Sequence, residues 1–153
     1  MYECCVSVRF LYSARQVNDA PAIPGVESKS LPVSPNAHIA IVDDDESLRL
    51  ALAGLVRSMG FTAAAFASAE DFLESADVDT AGCLITDIHM PGLSGIELKQ
   101  KLAERRSALP VIMITGRAEA GLKQKALASG AFCFLMKPFE AEALADCIDR
   151  ALA

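Results

Sequence analysis

The stretch "IAIVDDDESLR", residues 39–49, passes directly from an apolar run into four consecutive acidic residues at positions 43–46. A short apolar run of this kind is typical of a strand that is buried on both faces. Beyond the acidic residues, apolar side chains recur over residues 48–59 with the spacing of one helix face. The stretch therefore predicts a βα unit whose strand ends in a cluster of carboxylates.

The same alternation of apolar runs and helical periods continues from residue 38 to the end of the chain. It predicts strands over residues 38–42, 61–66, 83–86, 111–114 and 131–135. It predicts helices over residues 48–59, from the cap residue Ser68 onward, over 95–106, over 119–129 and from near Glu140 onward. These units predict an α/β fold with a flavodoxin-like, doubly wound, five-stranded parallel sheet of strand order 2-1-3-4-5 in three α/β/α layers.

Composition and charge restrict the class of protein. Apolar residues make up 52% of the chain and charged residues 22%. Because no apolar run reaches the length of a membrane span and no segment has the form of a signal peptide, we expect a soluble, cytoplasmic protein without a membrane partner. The net charge of −6 disfavours direct binding to nucleic acid, since an acidic surface repels phosphate backbones.

The N-terminal region differs from the rest of the chain. Residues 1–36 contain four of the 7 prolines and show no sustained period, so we expect a disordered extension followed by one folded domain at 37–153 with no output domain. The 5 cysteines show no CxxC spacing. Cys83 and Cys133 lie in strand-like segments, and we interpret both as small buried side chains in a reducing compartment.

Acidic side chains follow two strands that the predicted topology makes neighbours. Asp43, Asp44 and Asp45 end the first strand, and Asp87 ends the third, at the switch point where ligands bind in such sheets. Two carboxylates 4 Å apart repel by about 4 kcal/mol at an effective dielectric constant near 20. A hard cation with oxygen ligands, Mg²⁺, would offset that repulsion. For Asp45 and Glu46 we favour the alternative that they only cap the helix and oppose its dipole.

Two further strand ends supply groups that suit an anion. Thr115 ends the fourth strand and Lys137 ends the fifth. A hydroxyl, an ammonium group and a metal ion could hold a phosphoryl group while a carboxylate acts as the nucleophile. Phosphoryl transfer to Asp87 is the reaction that this set predicts, because its catalysis is mostly positioning and charge neutralisation.

Four segments, "IVDDDESLR", "LITDIHMPGLSGIEL", "VIMITGRAE" and "AFCFLMKPFE", together resemble the receiver domain of two-component response regulators. "SAEDFL" and "ITG" look most like the nitrogen-fixation regulator branch of that family. The resemblance implies that Asp87 is the phosphoacceptor and that the chain catalyses only its own phosphotransfer and slow dephosphorylation. It also implies a Mg²⁺ site made by Asp43, Asp44, Asp87 and the backbone carbonyl of His89.

The resemblance further implies a switch and a set of partners. Thr115 would move toward the phosphoryl oxygens, Lys137 would pair with them, and Phe134 would rotate inward, although plain core packing is an equally good interpretation of Phe134. The bond between Lys137 and Pro138 would be cis. The donor would be a sensor histidine kinase or a phosphotransfer protein. A stand-alone receiver would bind its downstream protein, or a second copy of itself, through the fourth helix, fifth strand and fifth helix.

Two other classes compete with this interpretation. "DDDES" also fits the DxDx[ST] pattern of haloacid-dehalogenase-type phosphatases, in which Asp43 would be the nucleophile and Asp45 the acid. Such enzymes need a further acidic pair after a later strand, and none follows Lys137. The third alternative is a receiver-like binding module that is never phosphorylated. The complete set of Asp44, Asp87, Thr115 and Lys137 argues against it.

Overall fold

The computed structural model describes residues 37–153. Its five strands form one parallel sheet of order β2-β1-β3-β4-β5, which confirms the predicted fold class and topology. The extension expected at residues 1–36 lies outside the described residues. The strands are β1 (His38–Val42), β2 (Thr62–Phe66), β3 (Cys83–Asp87), β4 (Val111–Thr115) and β5 (Cys133–Met136).

Six helices connect or follow these strands. They are α1 (Glu46–Ser58), α2 (Ala69–Glu74), α3 (Asp77–Thr80), α4 (Gly95–Glu104), α5 (Leu122–Ala128) and α6 (Ala141–Leu152). The single turn of α3 was not predicted, because it has 4 residues, buries none of them and thus shows no apolar period. The predicted fourth and fifth helices are therefore α5 and α6.

Glycine and cap residues explain where several helices begin and end. Gly60 follows α1 with a φ of +94° and donates its N–H to the carbonyl of Arg57, as expected of a residue that closes a helix. The helix expected over 119–129 begins three residues later, because Gly121 adopts a left-handed conformation at its N-cap. Likewise α4 ends at Glu104, just before Arg106 takes a φ of +56°.

The sheet is covered on both faces, because successive side chains of each strand point to opposite sides. Ile39 and Ile41 of β1 pack with α1 and α6, whereas Ala40 and Val42 pack with α2, α4 and α5. The two clusters are separate apolar cores on either side of one sheet. This arrangement is the three-layer architecture that the sequence predicts. Among residues 37–153, no helix combines the length and the apolar character needed to cross a bilayer.

The register brings the carboxyl ends of four strands to one edge of the sheet. Val42 pairs with Thr86, so that the next residues along β1 and β3, Asp43 and Asp87, emerge side by side. Asp87 in turn pairs with Ile114, and Thr115 pairs with Met136. The residues predicted to carry the chemistry therefore leave the sheet at the same edge.

The expected burial of Cys133 is confirmed, but the expectation that it stays reduced is wrong. Cys133 of β5 forms a disulfide with Cys147 of α6, and their Cα atoms are 6.2 Å apart. The spacing of 14 residues gave no sign of this pair, because a strand residue and a helix residue meet only when the helix packs on the sheet. Cys83 is a buried thiol as expected, and burial raises its pKa to about 12.

Candidate functional site

Three carboxylates converge beyond the ends of β1 and β3. One oxygen of each of Asp43, Asp44 and Asp87 lies within 4.8 Å of the other two. Asp43 is 1% exposed and Asp87 9% exposed, whereas Asp44 lies at the surface. The strand register places the two buried acids, and the tight turn into α1 places the third.

The protonation of Asp43 reflects this crowding. Its pKa rises to about 6, mainly because burial disfavours the charged form, and the charges of Asp87 and Asp44 raise it further. The N–H of Asp45, which donates to Oδ1 of Asp43 at 2.9 Å, and the Lys137 ammonium both oppose the rise. A bound cation would act in the same direction as Lys137 and stabilise the ionised carboxylate.

Within residues 37–153, Lys137 is the one cationic side chain that forms ion pairs with two of these acids. Its Nζ atom lies 3.4 Å from Oδ2 of Asp87 and 3.7 Å from Oδ2 of Asp43. The backbone N–H of Lys137 donates to the carbonyl of Thr115 at 2.8 Å, and the bond to Pro138 is cis. The backbone hydrogen bonds between β4 and β5 thus continue past Met136 and position Lys137 so that its ammonium group reaches the acids.

Thr115 lies at the end of β4 and is fully buried. Its hydroxyl oxygen accepts the backbone N–H of Arg117 at 3.1 Å. Between them, Gly116 faces the aliphatic part of Lys137, where an added Cβ would meet Cδ at 3.6 Å in ordinary contact. Phe134 is half-buried and packs against the core on the α4 side of the sheet, so the structure places it in the core and not among the acids.

The segment after β3, residues 88–94, is held close to Asp87. The N–H of His89 donates to Oδ1 of Asp87 at 3.3 Å, and the N–H of Gly95 donates to the carbonyl of Ile88 at 3.0 Å. A Cβ at Gly95 would lie 2.5 Å from the Asp87 carbonyl oxygen, so this close return of the chain requires glycine. The Nε2 atom of His89 lies 3.5 Å from Oε1 of Glu119 and forms no hydrogen bond with any of the described residues.

An open cleft of about 390 Å³ reaches the acidic group at Asp44, which is part of its lining. Sequence reasoning missed two basic residues here. Arg117 lines the same cleft as Asp44, and Nη1 of Arg49 donates to the carbonyl of Asp43 at 2.6 Å. The only sequence signal for Arg117 was its position two residues after a strand-ending threonine. The cleft is lined by Asp44, Ile88, His89, Met90, Pro91, Ser94 and Arg117.

The donor set fits a small divalent cation. All of the grouped ligand atoms are carboxylate oxygens, two of the three acids are nearly buried, and they share a single ammonium group. Asp45 lies outside this group, because its side chain accepts the N–H of Leu48 at 3.3 Å as the N-cap of α1. The capping interpretation of Asp45 is therefore confirmed, and the acid that the phosphatase alternative requires is engaged elsewhere.

Comparisons with known proteins agree with this geometry. The family profile described as "Response regulator receiver domain" matches residues 39–149. Nodulation protein W of Bradyrhizobium diazoefficiens is 38% identical over 115 residues, which cover 75% of this chain and 51% of that protein. Response regulator protein TmoT of Ectopseudomonas mendocina is 42% identical over 114 residues, covering 74% and 52%. The chain thus spans about half the length of the curated relatives it matches.

Solved structures show the same fold. The crystal structure of FixJ-N has a TM-score of 0.69 and 35% identity, and the match covers 76% of this chain and 93% of that one. The low-resolution structure of the response regulator StyR has a TM-score of 0.71 and 40% identity, with coverage of 76% and 59%.

Proposed function

The chain belongs to the response regulator receiver domain family, and we propose that Asp87 accepts a phosphoryl group from the phosphohistidine of a sensor histidine kinase or phosphotransfer protein. The observation that carries this proposal is the position of the Asp87 carboxylate. It lies at the carboxyl end of β3, 3.4 Å from the Lys137 ammonium and beside two further acids. Asp44, one carboxylate oxygen of which lies within 4.8 Å of an Asp87 oxygen, lines a cleft through which a donor could approach.

In the transfer, one Asp87 carboxylate oxygen attacks phosphorus while the bond between phosphorus and the donor imidazole nitrogen breaks. The nitrogen leaves with the electron pair, so the aspartate becomes an acyl phosphate. Lys137 holds the carboxylate before transfer and pairs with a phosphoryl oxygen afterwards. The His89 N–H, which donates to Oδ1 of Asp87, fixes the rotation of the carboxylate.

Mg²⁺ is the cofactor that we propose for this site. Asp43, Asp44 and Asp87 would hold it, together with the backbone carbonyl of His89. When bound, Mg²⁺ neutralises phosphoryl oxygens and offsets the repulsion among the carboxylates. The depth of Asp43 supports this assignment, because a buried carboxylate with a raised pKa gains the most from a cation at its side.

We propose that Thr115 and Phe134 transmit the phosphorylation of Asp87 to the surface of the domain as a conformational change. The Thr115 hydroxyl, which accepts the Arg117 N–H, would turn to donate to a phosphoryl oxygen, and Phe134 would move into the space it leaves. The surface formed by α5, β5 and α6, named here the α5–β5–α6 face, would then change its contacts. Exposed apolar side chains on or next to these elements, Leu127 of α5, Phe132 just before β5 and Met136 of β5, suit a downstream protein or a second copy.

A labelling experiment tests the proposal. The protein is incubated with Mg²⁺ and a small phosphodonor such as acetyl phosphate, and intact mass followed by peptide mapping locates the adduct. We expect one phosphoryl group on Asp87, labile to base and to hydroxylamine as an acyl phosphate is, which Asp87→Asn abolishes. Asp45→Asn is the matched control, because asparagine keeps the helix cap and should leave labelling unchanged. Labelling that survives Asp87→Asn, or multiple turnover that Asp45→Asn removes, would contradict the proposal.

A further inference from the structure

A carboxylate on α2 reaches the segment that follows the phosphoacceptor strand. Oε1 of Glu70 accepts the backbone N–H of Leu93 at 3.1 Å. Glu70 lies in the first turn of α2, is exposed, and stands 23 residues from Leu93 along the chain. The contact therefore joins two elements that the sheet alone does not hold together.

Gly92 is shaped to receive this carboxylate. Its φ is +78°, in the left-handed region that favours glycine. A Cβ at Gly92 would lie 2.6 Å from Oε1 of Glu70, closer than real contacts permit. Both the backbone conformation and the absence of a side chain at Gly92 thus allow Glu70 to approach the Leu93 N–H.

The segment that Glu70 holds, residues 89–94, is named here the acceptor loop. Its two ends are tied to β3 and α4, by the His89 N–H to Asp87 and by the capping box of Ser94 with Glu97. Glu70 attaches the part between these ends to α2. Met90, Pro91 and Ser94 of this loop line the same cleft as Asp44.

We propose that Glu70 is a positioning residue, which fixes the acceptor loop and thereby sets the affinity of the acidic pocket for Mg²⁺. This inference rests on the proposed function, because the loop carries the His89 carbonyl assigned to the metal. Removing the Glu70 carboxylate leaves the Leu93 N–H without its hydrogen-bond acceptor. The acceptor loop can then move away from the carboxylates of Asp43, Asp44 and Asp87. The role belongs to the carboxylate oxygen as a hydrogen-bond acceptor and not to its negative charge.

The test uses the full chain and three variants. Glu70→Ala removes the acceptor, whereas Glu70→Gln keeps an acceptor oxygen and removes the charge. Glu74→Ala is the matched control, an exposed glutamate at the other end of the same helix. Two quantities are measured: the Kd for Mg²⁺ by calorimetric titration, and the exchange rate of the Leu93 amide by NMR in metal-free protein.

We expect Glu70→Ala to raise the Kd for Mg²⁺ by roughly 3- to 10-fold and to accelerate Leu93 exchange, as the loss of one hydrogen bond would. We expect Glu70→Gln to stay within about 2-fold of the wild type in both measurements, and Glu74→Ala to change neither. Thermal unfolding of each variant shows that the fold is intact, since both positions are exposed.

Three results overturn the inference. An unchanged Kd in Glu70→Ala, with tight binding by the wild type, overturns the positioning role and leaves the proposed function standing. A raised Kd in Glu70→Gln with Leu93 exchange unchanged shows that the charge acts and not the hydrogen bond. No Mg²⁺ binding by the wild type itself overturns the proposed function and this inference with it.

Discussion

The Nζ atom of Lys137 lies 3.4 Å from Oδ2 of Asp87, although 50 residues separate them along the chain. The contact arises because β3, β4 and β5 are parallel neighbours whose carboxyl ends reach one edge of the sheet. Lys137 also lies 3.7 Å from Asp43, so one ammonium group forms ion pairs with two buried carboxylates. Without a bound cation the pocket has an excess of negative charge. The stability of the protein should therefore depend on pH and on divalent cations, and its phosphorylation on the residues around the pocket.

The stability of the metal-free protein should fall as pH rises toward neutrality, through Asp43. Its pKa is about 6 in the folded protein and 3.8 as the reference value, so the folded state binds more protons between these values. The contribution of Asp43 is therefore most favourable below pH 4 and is lost as pH rises through about 6. Asp43→Asn removes this titration and should make the protein more stable at pH 7.5, by on the order of 1–2 kcal/mol.

Urea unfolding of both proteins at pH 5 and pH 7.5, with a chelator present, measures this difference. The difference in unfolding free energy between Asp43→Asn and the wild type should be larger at pH 7.5 than at pH 5. Addition of Mg²⁺ at pH 7.5 should stabilise the wild type and leave Asp43→Asn nearly unaffected. A gap that does not change with pH would show that Asp43 does not titrate in this range.

The hydroxyl of Thr115 should be required for the conformational response to phosphorylation but not for the phosphorylation of Asp87 itself. We expect Thr115→Ala to be phosphorylated on Asp87 and yet to leave the amide signals of the α5–β5–α6 face where they are in the unphosphorylated protein. The reason is that alanine has no hydroxyl to donate to the phosphoryl group. Thr115→Ser is the control, because it retains the hydroxyl. NMR spectra with and without a phosphoryl mimic report the result, and a full response in Thr115→Ala would contradict the proposed switch.

Reduction should destabilise the protein through the disulfide between β5 and α6. A bridge that closes a loop of about 15 residues stabilises a protein by about 3 kcal/mol in the chain-entropy account. We therefore expect a reductant to lower the free energy of unfolding of the wild type by roughly that amount. Cys147→Ser should have the lower stability from the start and should not respond to the reductant. If the reductant destabilised the wild type and Cys147→Ser equally, the loss of stability would not come from the disulfide between Cys133 and Cys147.

Two glycines should respond oppositely to alanine. At Gly95 an added Cβ would lie 2.5 Å from the Asp87 carbonyl oxygen, so Gly95→Ala should push the chain away from the phosphoacceptor and cost roughly 1–3 kcal/mol. At Gly54 of α1 an added Cβ would meet no atom of residues 37–153 within 4 Å, so Gly54→Ala should stabilise the helix by about 1 kcal/mol. Denaturant unfolding measures both, and phosphodonor labelling should slow only in Gly95→Ala.

Much of the fold could be predicted because its signals are local. The apolar run before Asp43 and the helical period from Leu48 predict the first βα unit, and Gly60 predicts where its helix closes. Acidic residues after the first and third strands then predict a shared pocket, because parallel strands bring their carboxyl ends to one edge. The amino-acid sequence by itself therefore determined the order of the elements and the approximate position of Asp43, Asp44 and Asp87.

Other features depend on how the helices pack on the sheet. The disulfide between Cys133 and Cys147 and the hydrogen bond from the Leu93 N–H to Glu70 join groups from different elements, and Arg117 and Asp44 line one cleft from different parts of the chain. No period or spacing encodes such a contact, because it depends on the angle and distance at which each helix or loop meets its neighbour. Tertiary structure alone decided these contacts, since only close packing brings their atoms within bonding distance.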